Sequence, residues 1–297
     1  MKKSILYSAI ATAATIGISA CSSGGSDVAG IGGSGYTSSG TITGFGSIYV
    51  NGVKFDTSSS TIIIVDSPGI EDDLAIGMRV TVNGTLNADG VNGTATSVSY
   101  NDDLEGPVKD LAPVGLDGLV QTFTVLGRQV RIDRDTTNFD GTGFDFDAIV
   151  DDNHVEISGY LDSSGVMIAT RVELKAANFV ITSPVEIKGI VENFDPADDT
   201  FTLANTTGVE IDATGALVDD SLAGGIVDGA FVEVKGLCSN GTCATINASK
   251  VESGFDDFGD NDDVEVEGII TSLTDQDNFE VNGIPVDASG ATLIPAS

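Results

Sequence analysis

A chain of 297 residues with 45 acidic and only 13 basic side chains carries a formal net charge of −32. Nucleic-acid affinity rests on Lys and Arg displacing counterions from phosphate, so a chain this acidic is not expected to hold DNA or RNA. The charge reads instead as solubility and resistance to self-association, with diffuse attraction for divalent cations as a secondary consequence.

Met1-Lys2-Lys3 is a basic start, Ile5 to Ile18 is an apolar run, and Ile18-Ser19-Ala20-Cys21 places small residues before a cysteine. This is the pattern of a signal peptide. Its ending resembles the lipobox of bacterial lipoproteins. That resemblance implies removal of residues 1–20 and a lipid on Cys21, the alternative being ordinary cleavage after Ala20. Loss of Lys2 and Lys3 would leave the mature chain at −34. Ser22 and Ser23, with no Asp after the cysteine, resemble lipoproteins sent to the outer membrane. No other segment approaches the roughly 18 to 20 apolar residues that span a bilayer, so the lipid is the one membrane attachment expected. Export also implies an oxidising compartment.

Residues 21–38 are mainly Ser and Gly and read as a flexible tether. Gly30, Gly32 and Gly35 match the G-x-G-x-x-G dinucleotide fingerprint, but no strand precedes them, and no cofactor is expected.

The remainder is a repeat. Ile48 to Asp56 contains two short alternating runs around Asn51-Gly52, the strongest short-range hairpin signal. Variants recur as Phe123 to Asp133, Phe201 to Asp212 and Asn278 to Asp287. Their closing aspartates, Asp56, Asp133, Asp212 and Asp287, lie 77, 79 and 75 residues apart. A fixed period makes the chain a tandem array. Strands of type Val-x-Val-x-Gly (Val80 to Gly84, Val155 to Gly159, Val232 to Gly236) follow each hairpin, then a closing strand such as Ala169 to Val172. The expected units are residues 39–102, 103–176 and 184–254, an acidic linker 255–263, and a partial fourth unit 264–297 starting at Val264-Glu265-Val266. Alternation at period two says half-buried strands. The predicted fold class is all-β, a tandem array of small five-stranded antiparallel OB-like barrels with an incomplete fourth unit. Units this small need contacts with one another for stability.

Ser39 to Asp56 resembles the opening of a bacterial domain-of-unknown-function family, number 5666. Thr124 to Asp133 and Ala169 to Glu173 resemble its middle and end. The resemblance implies exported, often lipid-anchored, repeated β-domains with no assigned activity, so no catalytic residues are carried over from it.

Chemistry-bearing residues are few. Cys238 and Cys243 flank Asn240-Gly241, and such a turn would set the two cysteines opposite each other within disulfide range. His154, the lone histidine, would have to carry any triad or zinc site alone. Its neighbours Asp151 and Asp152 suggest a surface turn instead. Asp256, Asp257, Asp260, Asp262 and Asp263 could attract Ca²⁺, although EF-hand spacing is absent. Asn83-Gly84-Thr85, Asn92-Gly93-Thr94 and Asn240-Gly241-Thr242 match glycosylation sequons and read as turns. The absence of Trp weakens a sugar-stacking platform, leaving Tyr36, Tyr49, Tyr100 and Tyr160. These features lead to the expectation of a non-enzymatic envelope lipoprotein that binds a protein or polysaccharide partner. The alternatives are a Ca²⁺-responsive adhesin and a carboxylate-based hydrolase.

Overall fold

A computed structural model describes residues 35–222, 224–255, 263–266, 270–281 and 284–291. Residues 1–20, read from sequence as a signal peptide, and Cys21, Gly30 and Gly32 lie outside these residues. So do Asp256, Asp257, Asp260 and Asp262 of the acidic linker, while Asp263 is described by its backbone alone.

The first unit holds β1 (Tyr36–Gly44), β2 (Ile48–Val50), β3 (Val53–Asp56), β4 (Thr61–Ile64) and β5 (Ser67–Gly69). A single 3-10 turn, Glu71–Asp73, leads to β6 (Arg79–Leu86) and β7 (Asn92–Tyr100). β1 begins three residues inside the stretch read as tether, because Tyr36 has a core to enter: it is buried and stacks on Phe55. Asn51 and Gly52 both take the left-handed conformation, φ 51° and 77°, of the turn whose twist matches paired strands. The turn sets Val50 opposite Val53 and Ile48 opposite Phe55, and all four are buried. The aspartate that closes each hairpin has one recurring task. Asp56, Asp133, Asp212 and Asp287 each accept the backbone N–H two residues on, at 2.9–3.0 Å, forming an Asx turn.

The second unit is β8 (Leu104–Lys109), β9 (Val120–Val125), β10 (Arg128–Asp133), β11 (Asn138–Asp140), β12 (His154–Leu161) and β13 (Met167–Ala176). The third is β14 (Pro184–Asp195), β15 (Thr200–Leu203), β16 (Glu210–Asp212), β17 (Leu217–Val218), β18 (Phe231–Cys238) and β19 (Thr245–Ser253). In the first unit, pairing runs β1-β2-β3-β7-β6 and returns to β1, a partly closed five-strand barrel. The second unit repeats this ring as β8-β9-β10-β13-β12, and the third as β14-β15-β16-β19-β18.

The expected all-antiparallel pairing is corrected at one seam per barrel: β3–β7, β10–β13 and β16–β19 are parallel. β4, β11 and β17 add a further parallel strand to each last strand. Period-two alternation reports which face of a strand is buried and says nothing about its direction. The segment between hairpin and last strand is long enough for the crossover that parallel pairing needs. The glycine of each Val-x-Val-x-Gly strand also has a reason. A Cβ at Gly84, Gly159 or Gly236 would come within 2.1, 2.4 or 2.3 Å of a carbonyl oxygen on the paired strand. Ladder register shifts at all three positions, as at a bulge. Asn83-Gly84 is therefore mid-strand, not a turn, and Asn92-Gly93 opens β7.

The units are less separate than the repeat implied. The first barrel has its own core, around Ile42, Phe55 and Val82. The cores of the second and third merge into one cluster, from Leu104 and Phe123 through to Phe201 and Val251. β8 pairs antiparallel with β14, Leu104 opposite Ile187, so one sheet crosses this joint.

β20 (Asp263–Val266), expected to open the fourth unit, lies parallel against β1 of the first. Tyr36 donates its hydroxyl to Glu265 there. β21 (Ile270–Leu273), β22 (Asn278–Val281) and β23 (Ile284–Asp287) form a separate small sheet in the expected hairpin register, Phe279 opposite Val286. Among the described residues no helix is long and apolar enough to cross a membrane.

Candidate functional site

Between β7 and β8 the chain passes through Asp102 and Asp103, and here three units meet. Asp103 Oδ2 accepts the Gly159 N–H at 2.9 Å. Its Oδ1 lies 3.3 Å from Arg79 Nη1 and 3.6 Å from Lys188 Nζ. One buried carboxylate therefore ties β6 of the first unit, β12 of the second and β14 of the third. Arg79 Nη1 also donates to Gly159 O at 2.6 Å, and Lys188 reaches Glu233 at 3.4 Å. Tyr100 donates to Glu156 at 2.8 Å, and burial pushes its hydroxyl well above the usual range.

Strand alternation turns Glu156, Glu186 and Glu233 away from their own barrels. Ordinarily that face meets water; here it meets the neighbouring barrels, and all three are buried. Lysines answer part of the charge. Lys175 lies 2.7 Å from Glu156, and Lys235 lies 2.8 Å from Glu233 and 2.7 Å from Asp66 of the first unit. Burial opposes the charge on both lysines, yet the surrounding carboxylates hold each above its ordinary value.

Arg128 is a different tie. It follows the Leu126-Gly127 turn and is 1% exposed. Its Nη2 donates to Lys188 O at 3.2 Å, and its Nη1 to Gly165 O at 3.3 Å and Asn205 O at 3.5 Å. These are all backbone carbonyls, and burial lowers the guanidinium to about 10.

Above the Arg79–Asp103–Lys188 floor opens a cleft of about 420 Å³, within the range of ligand pockets. All four units line it. Leu161, Ile190, Phe231 and Phe255 make an apolar wall, and the Phe231 and Phe255 rings pack 4.9 Å apart. Tyr160, Asn205, Asp162 and Glu280 supply polar edges. The arrangement suits a ligand with an apolar body held by a few oriented polar groups.

The residues singled out from sequence fare unevenly. The Cys238–Cys243 disulfide is formed, with Cα atoms 4.7 Å apart. The turn differs from expectation: Cys238 faces Ile246 in the ladder, and Cys243 takes the left-handed conformation at φ 52°. Asn240 Oδ1 accepts the Thr242 N–H and hydroxyl, which converts the expected two-residue hairpin into a wider Asx-closed loop. Replacing both cysteines by serine is expected to cost about 2 kcal/mol by loop-length scaling, read from chemical denaturation.

His154 is buried, not in a surface turn. Its Nε2 lies 2.9 Å from Glu105 Oε1 and 3.2 Å from Pro184 O, so this nitrogen carries a proton shared between two acceptors. The strand it opens is covered by β8 and by Phe179, whose ring lies 5.3 Å from the imidazole. Tyr100 and Tyr36 are buried, whereas Tyr160 borders the cleft. Among the described residues no three His, Cys, Asp or Glu side chains are grouped to hold a metal ion. Arg79, Lys188 and Arg128 carry no local signature in the sequence because they are single charges on strands, and Asp103 carries none because it sits in a short acidic connection like many others in this chain.

A comparison with curated proteins finds no match. The sequence profile described as Domain of unknown function (DUF5666) matches three times, at residues 38–99, 105–173 and 188–252. These segments coincide with the three ring-paired barrels and cover well over half of the chain. The protein belongs to the DUF5666 family, in tandem copies.

Proposed function

We propose that this is a lipid-anchored protein of the cell envelope whose tandem OB-like barrels form a non-enzymatic binding scaffold, with the inter-unit cleft as the ligand seat. The cleft carries the reading: it is built from all four units, with an apolar wall over a fixed ion-paired floor. The OB-like description is supported by the strand ring, in which the third and last strands are parallel and the fourth returns to the first. OB-type barrels bind oligomeric ligands through such surfaces. The disulfide and the lipobox support export. His154, committed to Glu105 and Pro184, supports a role outside catalysis.

Thermal-shift and calorimetric titration with soluble peptidoglycan fragments, envelope oligosaccharides and short peptides tests the proposal. Ser163, an exposed residue of the cleft lining, gives a blocking variant, Ser163→Trp. At least one probe is expected to bind the wild type and lose tenfold or more in affinity with Ser163→Trp. Binding unaffected by that substitution, or no binding up to millimolar probe, overturns the cleft as the seat.

A further inference from the structure

The seam between the second and third barrels contains an arrangement that ordinary β-sheet chemistry avoids. Glu156 of β12 stands directly opposite Glu105 of β8, and Glu105 stands directly opposite Glu186 of β14. Like charges in opposed positions on adjacent strands repel. Beside this row sits Asp102, 0% exposed, and among the described residues neither of its carboxylate oxygens has a hydrogen-bond partner. Glu186 Oε1 is likewise buried without one among the described residues; its carboxyl shares a hydrogen bond with Glu233, and its Oε2 reaches Lys235 only at 3.9 Å. The remaining members are answered: Glu156 by Lys175 and Tyr100, Glu105 by His154, and Glu233 by Lys188 and Lys235. Glu173, Glu252 and Lys250 complete the charged surroundings, with Asp66 and Arg79 facing in from the first unit and Asp103 at the start of the second. Asp102 and Glu186 are thus left without a cation at hydrogen-bond distance among the described residues. A buried carboxylate with no donor is costly, whereas a buried carboxylic acid can itself donate to a neighbouring carboxylate.

We propose that Asp102 and Glu186 keep their protons in the folded chain and that these protons hold the seam between the second and third barrels closed, so that the seam loosens as pH rises. Burial, then Glu156 and Glu105, pushes Asp102 up to about 8; burial, then Asp102 and Glu233, pushes Glu186 up to about 11. Glu233 moves the other way. Burial opposes its charge, but Lys188, a hydrogen bond with Glu186, and Lys235 outweigh burial and hold it below its ordinary value. In the unfolded chain both acids ionise near pH 4. Above that pH the folded state binds more protons than the unfolded state, so stability falls as pH rises. For Asp102 the loss runs from about pH 4 to about 8, and for Glu186 it continues toward 11. The exposed aspartates with lowered values, such as Asp56 and Asp212, have the opposite sign and act below about pH 4.

The test is the melting temperature of the full chain from pH 5.5 to 8.5, for the wild type, Asp102→Asn, Glu186→Gln and the double variant. The wild-type temperature is expected to fall steadily with pH. Each neutral variant should remove about one proton from that dependence, and the double variant should be nearly flat. A second measurement needs no variant: infrared difference spectra of the wild type between pH 6 and 9 should lose a protonated-carboxyl carbonyl band. Absence of that band, or a double variant with the wild-type slope, overturns the proposal. So does a rise in melting temperature with Ca²⁺ at pH 7 that Asp102→Asn abolishes, which would show a cation, not protons, in the seam.

Discussion

Asp103→Asn is expected to destabilise the folded chain by about 3 kcal/mol, measured by urea denaturation at pH 7. The substitution keeps the size of the side chain and removes its charge. Arg79, whose side chain is only 15% exposed, then loses its carboxylate partner, while Lys188 retains Glu233. Removing one partner of a buried pair leaves an uncompensated charge, which typically costs 3–5 kcal/mol. The lower end applies because Asn can still accept the Gly159 N–H and because Lys188 keeps a second carboxylate. Asp117→Asn, at an exposed loop position, is the control and should stay within about 0.5 kcal/mol of wild type. Equal values for the two variants would mean that the first unit does not dock on the others through Asp103.

Arg128→Ala is expected to cost about 3–4 kcal/mol and to split the unfolding of the second and third barrels. Among the described residues the guanidinium pairs with no carboxylate; it donates to carbonyls of Lys188, Gly165 and Asn205 from two barrels. Truncation takes the guanidinium donor away from the buried Lys188 and Gly165 carbonyls and opens a cavity at a site 1% exposed. Arg128→Met separates the two contributions, because Met refills the volume of the stem and removes the cost of burying charge. The Met variant should be less destabilised than the Ala variant. A wild-type unfolding curve for Arg128→Ala would refute the role. The two substitutions probe different joints: Asp103 draws the first barrel in by charge, whereas Arg128 stitches the second and third by hydrogen bonds.

Much of this molecule was legible before any coordinates. Asn51-Gly52 specified its hairpin because two adjacent left-handed residues are cheap for Asn and Gly and costly for most others. Asp56 and its three counterparts marked the period because an Asx turn is a local device, complete within three residues. The pairing of Cys238 with Cys243 was legible because their separation leaves little choice, although the loop conformation between them was not. The first strand was misjudged at its start: Tyr36 to Ser38 look like tether by composition and become strand through neighbours distant in the chain.

Sequence alone settled the local rules: which residues alternate, where hairpins turn, and that one unit is copied. Glu156, Glu186 and Glu233 alternate with apolar neighbours, and period two turns them to the face away from their own barrels. Whether outward meant water or another barrel was a tertiary matter, decided by how the barrels dock on Asp103 and Arg128. The parallel seam in each barrel, the merged core of the second and third, and the cleft all have the same origin. They depend on contacts between residues far apart in the chain, and burial that arises from packing leaves no periodic trace in the strand that undergoes it.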